Sequence, residues 1–99
     1  MAKGDVVSAI SAALASGGNL DYQPAAGVEA MITEVASDSI AADLKVSLYN
    51  GTTAALIHTH DSDLDETPFK ILVNNTNYLR LTNSNAGAQD VAYCGIQTK

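Results

Sequence analysis

The sequence predicts an all-β fold: one antiparallel β-sandwich or jelly-roll-like domain of seven to eight short strands, covering residues 1–99. Three observations predict it. Several segments alternate apolar and polar residues with period two, the spacing of a half-buried strand. Clusters of Asn, Gly, Pro, Asp and Ser separate those segments at intervals of roughly 8–12 residues, the rhythm of a sandwich or barrel. A chain of 99 residues also supplies one core and leaves nothing for a second.

Taken in order, Asp5–Ala15 carries two signals. Val6, Ile10 and Leu14 fit helical spacing with Gly17-Gly18 as a stop, while Val6, Val7 and Ile10 favour a strand. It is read as a strand because the rest of the chain is antiparallel β and offers it partners. Leu20–Gln23 is a short strand ended by Pro24, which lacks the ladder donor. Val28–Val35 is mixed, with Val28, Ala30 and Ile32 on one parity and Met31 and Val35 on the other, and is read as a strand. Asp43–Tyr49 alternates cleanly: Leu44, Val46 and Leu48 share one face, Lys45, Ser47 and Tyr49 the other.

Asn50-Gly51 then predicts a two-residue primed hairpin turn, since both residues tolerate positive φ, and Ala54–His58 is the return strand. Pro68–Val73 repeats the alternation, with Phe69, Ile71 and Val73 one way and Lys70 the other. A turn at Asn74–Asn77 leads to Tyr78–Thr82, with Leu79 and Leu81 inward. A polar loop at Asn83–Gln89 leads to the last strand, Asp90–Ile96.

Composition bounds what such a domain does. Sixteen residues are Ala, while Val, Ile, Leu and Phe together make under a quarter of the chain, so the core is thin. Self-association is a natural way to bury more. Eleven acids against five bases give a formal charge of −6, which argues against a phosphate-binding surface and so against direct nucleic-acid contact. The acids concentrate early: residues 1–66 hold ten against Lys3 and Lys45, a net of −8, and residues 67–99 have a net of +2. No run of about 18 apolar residues offers a membrane-spanning helix. The opening Met1–Asp5 and the interrupted apolar stretch behind it do not make a signal peptide. The single Cys94 forms no internal disulfide and, inside an apolar strand, reads as a buried, inert thiol.

Candidate chemistry is sparse. His58 and His60, two apart on a strand, share a face and with Asp61 form a weak metal candidate. Asp61, Asp63 and Asp65 imitate the start of a calcium loop, but Glu66 stands where Gly is needed and Leu72 where the closing Glu belongs. No nucleophile elbow or phosphate-cradling glycine loop is present, so the reading is of a non-enzyme without cofactors. Asn50-Gly51-Thr52 and Asn74-Asn75-Thr76 match the glycosylation pattern, which is frequent by chance. Four tyrosines, at 22, 49, 78 and 93, have the amphipathic rings that line sugar grooves; Tyr22, Tyr49 and Tyr93 read instead as interface candidates.

Four segments carry a resemblance: Asp5–Ser8, Leu20–Glu29 with its Asp21-Tyr22-Gln23-Pro24, Asn77–Asn83 with Tyr78-Leu79-Arg80-Leu81, and the close Ala92–Lys99. Together they resemble small all-β virion structural proteins of tailed bacteriophages, of the capsid decoration or cement kind. The match covers about half the chain; Ser39–Ala42 and the His-Asp tip depart from it. The resemblance implies a protein made in the host cytoplasm that stabilises the phage head from the capsid exterior. It further implies non-covalent contacts with the major capsid protein and a homo-oligomer, a trimer. The alternative is a head-fibre or tail adhesion module binding host-surface glycan.

Overall fold

Eight strands and no helix make up the described residues of the computed structural model, which are 3–37, 44–60 and 67–99, without the side chains of 58–60 and 67–69. The strands are β1 (Val6–Leu14), β2 (Asn19–Tyr22), β3 (Glu29–Ser37), β4 (Leu44–Tyr49), β5 (Ala54–His60), β6 (Thr67–Asn74), β7 (Tyr78–Asn83) and β8 (Gln89–Gln97). They form two four-stranded sheets, ordered β1-β8-β3-β6 and β2-β7-β4-β5, with every pairing antiparallel. First pairs with last, second with seventh, third with sixth and fourth with fifth. This nesting is a long hairpin folded over on itself. Among the described strands, only β4 and β5 are consecutive within one sheet.

The core lies between the sheets. One side gives Val7, Ala30, Ile32, Val35, Ile71, Val73, Val91 and Tyr93, and the other Leu44, Val46, Leu79 and Leu81. The alternations expected for β4 and β7 therefore hold, with Leu79 and Leu81 fully buried. In β6, Ile71 and Val73 point inward as expected. The mixed parity of β3 has a local cause. Its register shifts between Ile32 and Glu34, a β-bulge that turns Val35 back to the face of Ala30 and Ile32. Gly95 of β8 sits against that bulge; a Cβ there would lie 2.0 Å from the Met31 carbonyl oxygen. β1, with its double signal, is a strand, and its register breaks only between Ser11 and Leu14. There Ala13 adopts a φ of 52° and the Asp90 carboxylate accepts its N–H at 2.7 Å.

The turn at Asn50-Gly51 is not the two-residue primed turn expected from sequence. The loop holds four residues, Tyr49 pairing with Ala54, and of the two only Gly51 has positive φ. The Asn50 side chain explains the difference, since its Oδ1 accepts the N–H groups of Thr52 and Thr53 at 3.0 and 2.7 Å. Asn74 builds the same cap, accepting from Thr76 and Asn77 at 2.9 and 2.8 Å, although its turn crosses between sheets. Both Asn-x-Thr motifs are thus turn-capping motifs.

One end of the sandwich is closed by a buried amide. Asn83 Nδ2 donates to the carbonyls of Leu14 and Gly87 at 2.8 and 3.0 Å. Its Oδ1 accepts from Asn85 N–H and Gln89 Nε2 at 2.8 and 2.7 Å. Gln89 is in turn hydrogen-bonded to the Ser37 hydroxyl. These contacts fasten the end of β1 and the loop after β7 to the start of β8.

Candidate functional site

The two outer faces of the sandwich differ in chemistry because of what each strand places opposite the core. In a two-layer fold one face of every strand is committed to the interior, so residues of opposite parity meet the surroundings. On β2, β7 and β4 many of those residues are polar or aromatic and pair with one another, while β5 exposes Leu56 (58%) and Ile57 (48%). Arg80 of β7 donates to both Asp21 carboxylate oxygens on β2, at 2.8 and 2.7 Å. The same guanidinium lies 3.6 Å from the ring centre of Tyr49, and Tyr78 meets that ring edge-on at 5.5 Å. The hydrogen bond to Asp21 holds Arg80 above its already high ordinary pKa, so the charge is permanent. Beside it, the Thr82 hydroxyl donates to Asn19 Oδ1 at 2.7 Å.

The β1-β8-β3-β6 sheet carries a continuous apolar row on its outer face. Val6 pairs with Ile96, Ile96 with Met31, and Met31 with Leu72, one apolar row crossing all four strands. Val6 is 69% exposed, Leu72 71% and Ile96 40%. A second row lies four residues on, from Ile10, 78% exposed, through Ala92 to Ala36. Between the rows lies an open depression of about 470 Å³, lined among others by Ser8, Ile10, Glu34, Ala92 and Cys94. Strand spacing of ~4.8 Å and a rise of ~3.3 Å per residue give the region spanned by the two rows, with Ser8, Cys94 and Glu34 between them, about 300 Å². Isolated exposed apolar residues are ordinary, whereas an apolar row continuous across four strands is a candidate contact surface.

The residues singled out from the sequence fall in several places. Tyr93 is buried in the core with its ring 5.5 Å from that of the half-buried Tyr22, so this pair bridges the two sheets and leaves a partner little of Tyr93 to touch. Burial raises both phenols above the ordinary tyrosine pKa. Tyr49 does face outward, but Arg80 covers its ring. The four tyrosines therefore make two separate pairs rather than one sugar-lining groove. Cys94 is half-buried on the outer face of its strand, which corrects its reading as a core thiol. His58 and His60 pair with Val46 and Leu44 through the backbone of β5; their side chains and Asp61 lie outside the described residues. Among the described residues no three His, Cys, Asp or Glu side chains form a metal-holding group.

Met31, Leu72 and Ile96 escaped the sequence reading as surface residues. A signal existed: Ile71-Leu72-Val73 and Val6-Val7 are apolar on both parities, and a two-layer fold buries only one of them. No protein-family model matches the chain, and no curated protein is significantly similar to it.

Proposed function

We propose that this chain is a non-catalytic virion structural protein of the capsid decoration kind. On this reading it lies on the capsid exterior and binds the major capsid protein without covalent bonds, through the outer face of the β1-β8-β3-β6 sheet. The observation that carries the reading is the row Val6–Ile96–Met31–Leu72, apolar across the full width of a sheet. The row itself is uncharged and apolar, suited to a lasting contact rather than to turnover. The formal charge of −6 keeps the rest of the surface from adhering to packaged nucleic acid. The sequence resemblance to small phage virion proteins points the same way.

Electron cryomicroscopy of particles carrying the protein tests this. Copies repeated over the whole shell, with this sheet against it, are expected. Copies confined to a fibre or tail tip, together with binding to host-surface glycan, would replace this reading with the adhesion module.

A further inference from the structure

The four sheet edges of the sandwich are not treated alike. β6 carries Pro68 and Lys70, two residues that discourage pairing with another strand. β2 is four residues long and carries Asp21. β5 is interrupted by a bulge, its register shifting opposite Val46 and Ser47. β1 has none of these along Val6–Ser11, where its register is unbroken, and from Val6 to Leu14 it contains no charged residue and no proline. Among the described residues it pairs with β8 alone, so one side of its backbone is open. The two large side chains that stand out from it, Val6 and Ile10, are among the most exposed apolar residues of the domain. An unguarded, uncharged edge is a template for another strand.

We infer that β1 pairs antiparallel with β1 of a second copy of this chain, joining two four-stranded sheets into one of eight. The register follows from the ladder. Gln97 N–H donates to the Asp5 carbonyl, and in an antiparallel pair such bonds alternate. Val7, Ala9 and Ser11 therefore turn their N–H and C=O groups to β8, while Val6, Ser8 and Ile10 turn theirs to the open edge. A two-fold axis at Ser8 sets Ser8 against its own copy and Val6 of each chain against Ile10 of the other. The most exposed residues then cover one another, and the apolar outer face runs unbroken across both copies. The same register carries Lys3 of each chain toward the Ala13 bulge of the other, where the Asp90 carboxylate sits, bringing opposite charges together. Strand pairing of this kind is isologous and closes at two copies, where the sequence resemblance implies three. The inference stands on the edge itself and does not depend on the virion reading.

Sedimentation equilibrium of the purified chain and three variants tests it. Ser8→Pro removes an N–H that the open edge uses and β8 does not, and Ile10→Lys puts a charge on the seam. The parent is expected at twice the monomer mass. Both variants are expected at the monomer mass with an unchanged β-sheet circular dichroism spectrum, their association weaker by on the order of 100-fold. Leu72→Lys, on the far edge of the same sheet, should remain a dimer. If Ser8→Pro fails to fold, Ile10→Lys decides alone. A parent that stays monomeric, a mass of three copies, or a dimer broken by Leu72→Lys but not by Ile10→Lys would overturn the inference.

Discussion

Asn83→Asp isolates what the buried amide contributes, because the substitution keeps shape and acceptor and removes only the two donors. In the parent, Nδ2 is the partner of the Leu14 and Gly87 carbonyls, at 2.8 and 3.0 Å, and the residue is fully buried. Leaving a buried acceptor unpaired costs roughly 1–3 kcal/mol, so the two together cost about 2–6 kcal/mol, out of a total of ~5–15 kcal/mol for a domain. The new carboxylate would also face those two carbonyl oxygens while ionised. Its folded pKa is therefore raised above the unfolded value of ~3.9. A raised acid favours the folded state below the unfolded pKa and loses that benefit as pH rises. The variant's deficit should accordingly be largest at neutral pH and shrink below about pH 4, where a protonated carboxyl again donates one bond. Urea unfolding of parent and variant at both pH values measures this. A loss under about 1 kcal/mol at neutral pH, or a deficit that grows on acidification, would refute the role given to Asn83.

Other positions carry equally direct expectations. Gly95→Ala places a Cβ 2.0 Å from the Met31 carbonyl, so β3 must move, and a loss of roughly 1–3 kcal/mol or more is expected by thermal melting. Leu79→Ala and Leu81→Ala, both at fully buried sites, should each cost roughly 2–5 kcal/mol in denaturant titrations, and melting like the parent would mean the β7 facing is wrong. Asn50→Ala and Asn74→Ala each remove a cap holding two backbone N–H groups and should lower stability by about 1 kcal/mol apiece, additively, since the sites lie in different turns. Burial raises the pKa of Tyr22 and Tyr93, so the stability this neutral pair provides is complete below about pH 10 and is lost as pH climbs beyond it. Tyr22→Phe should flatten that alkaline fall in melting temperature.

Much of the architecture is written locally. Leu79 and Leu81 alternate with Tyr78, Arg80 and Thr82, and period two alone assigns their face. Where the reading stopped, a long-range contact decided. The parity of Val35 depends on a bulge set by pairing with β6 and β8, and nothing in Met31–Glu34 announces it. The Asn50 side chain outcompetes the primed turn that its neighbour Gly51 favours, a choice between two local bonds of similar strength. β1 showed helical spacing because Val6 and Ile10 belong to an outer apolar face, which a sequence pattern reads as misplaced core. The exposed apolar row itself was the least legible feature. Val6, Met31, Leu72 and Ile96 come from four strands far apart in the chain, and only the β1-β8-β3-β6 order lines them up.

The proposed role of this apolar row is to bind a capsid shell. The most direct measurement is the temperature at which phage heads lacking the protein release their DNA, with and without added protein. The parent chain should raise that temperature, and a Met31→Glu, Leu72→Glu double variant that folds like the parent should not, because it puts two charges in the row. A parent that leaves the release temperature unchanged, or a double variant that raises it as much as the parent does, would contradict the claim.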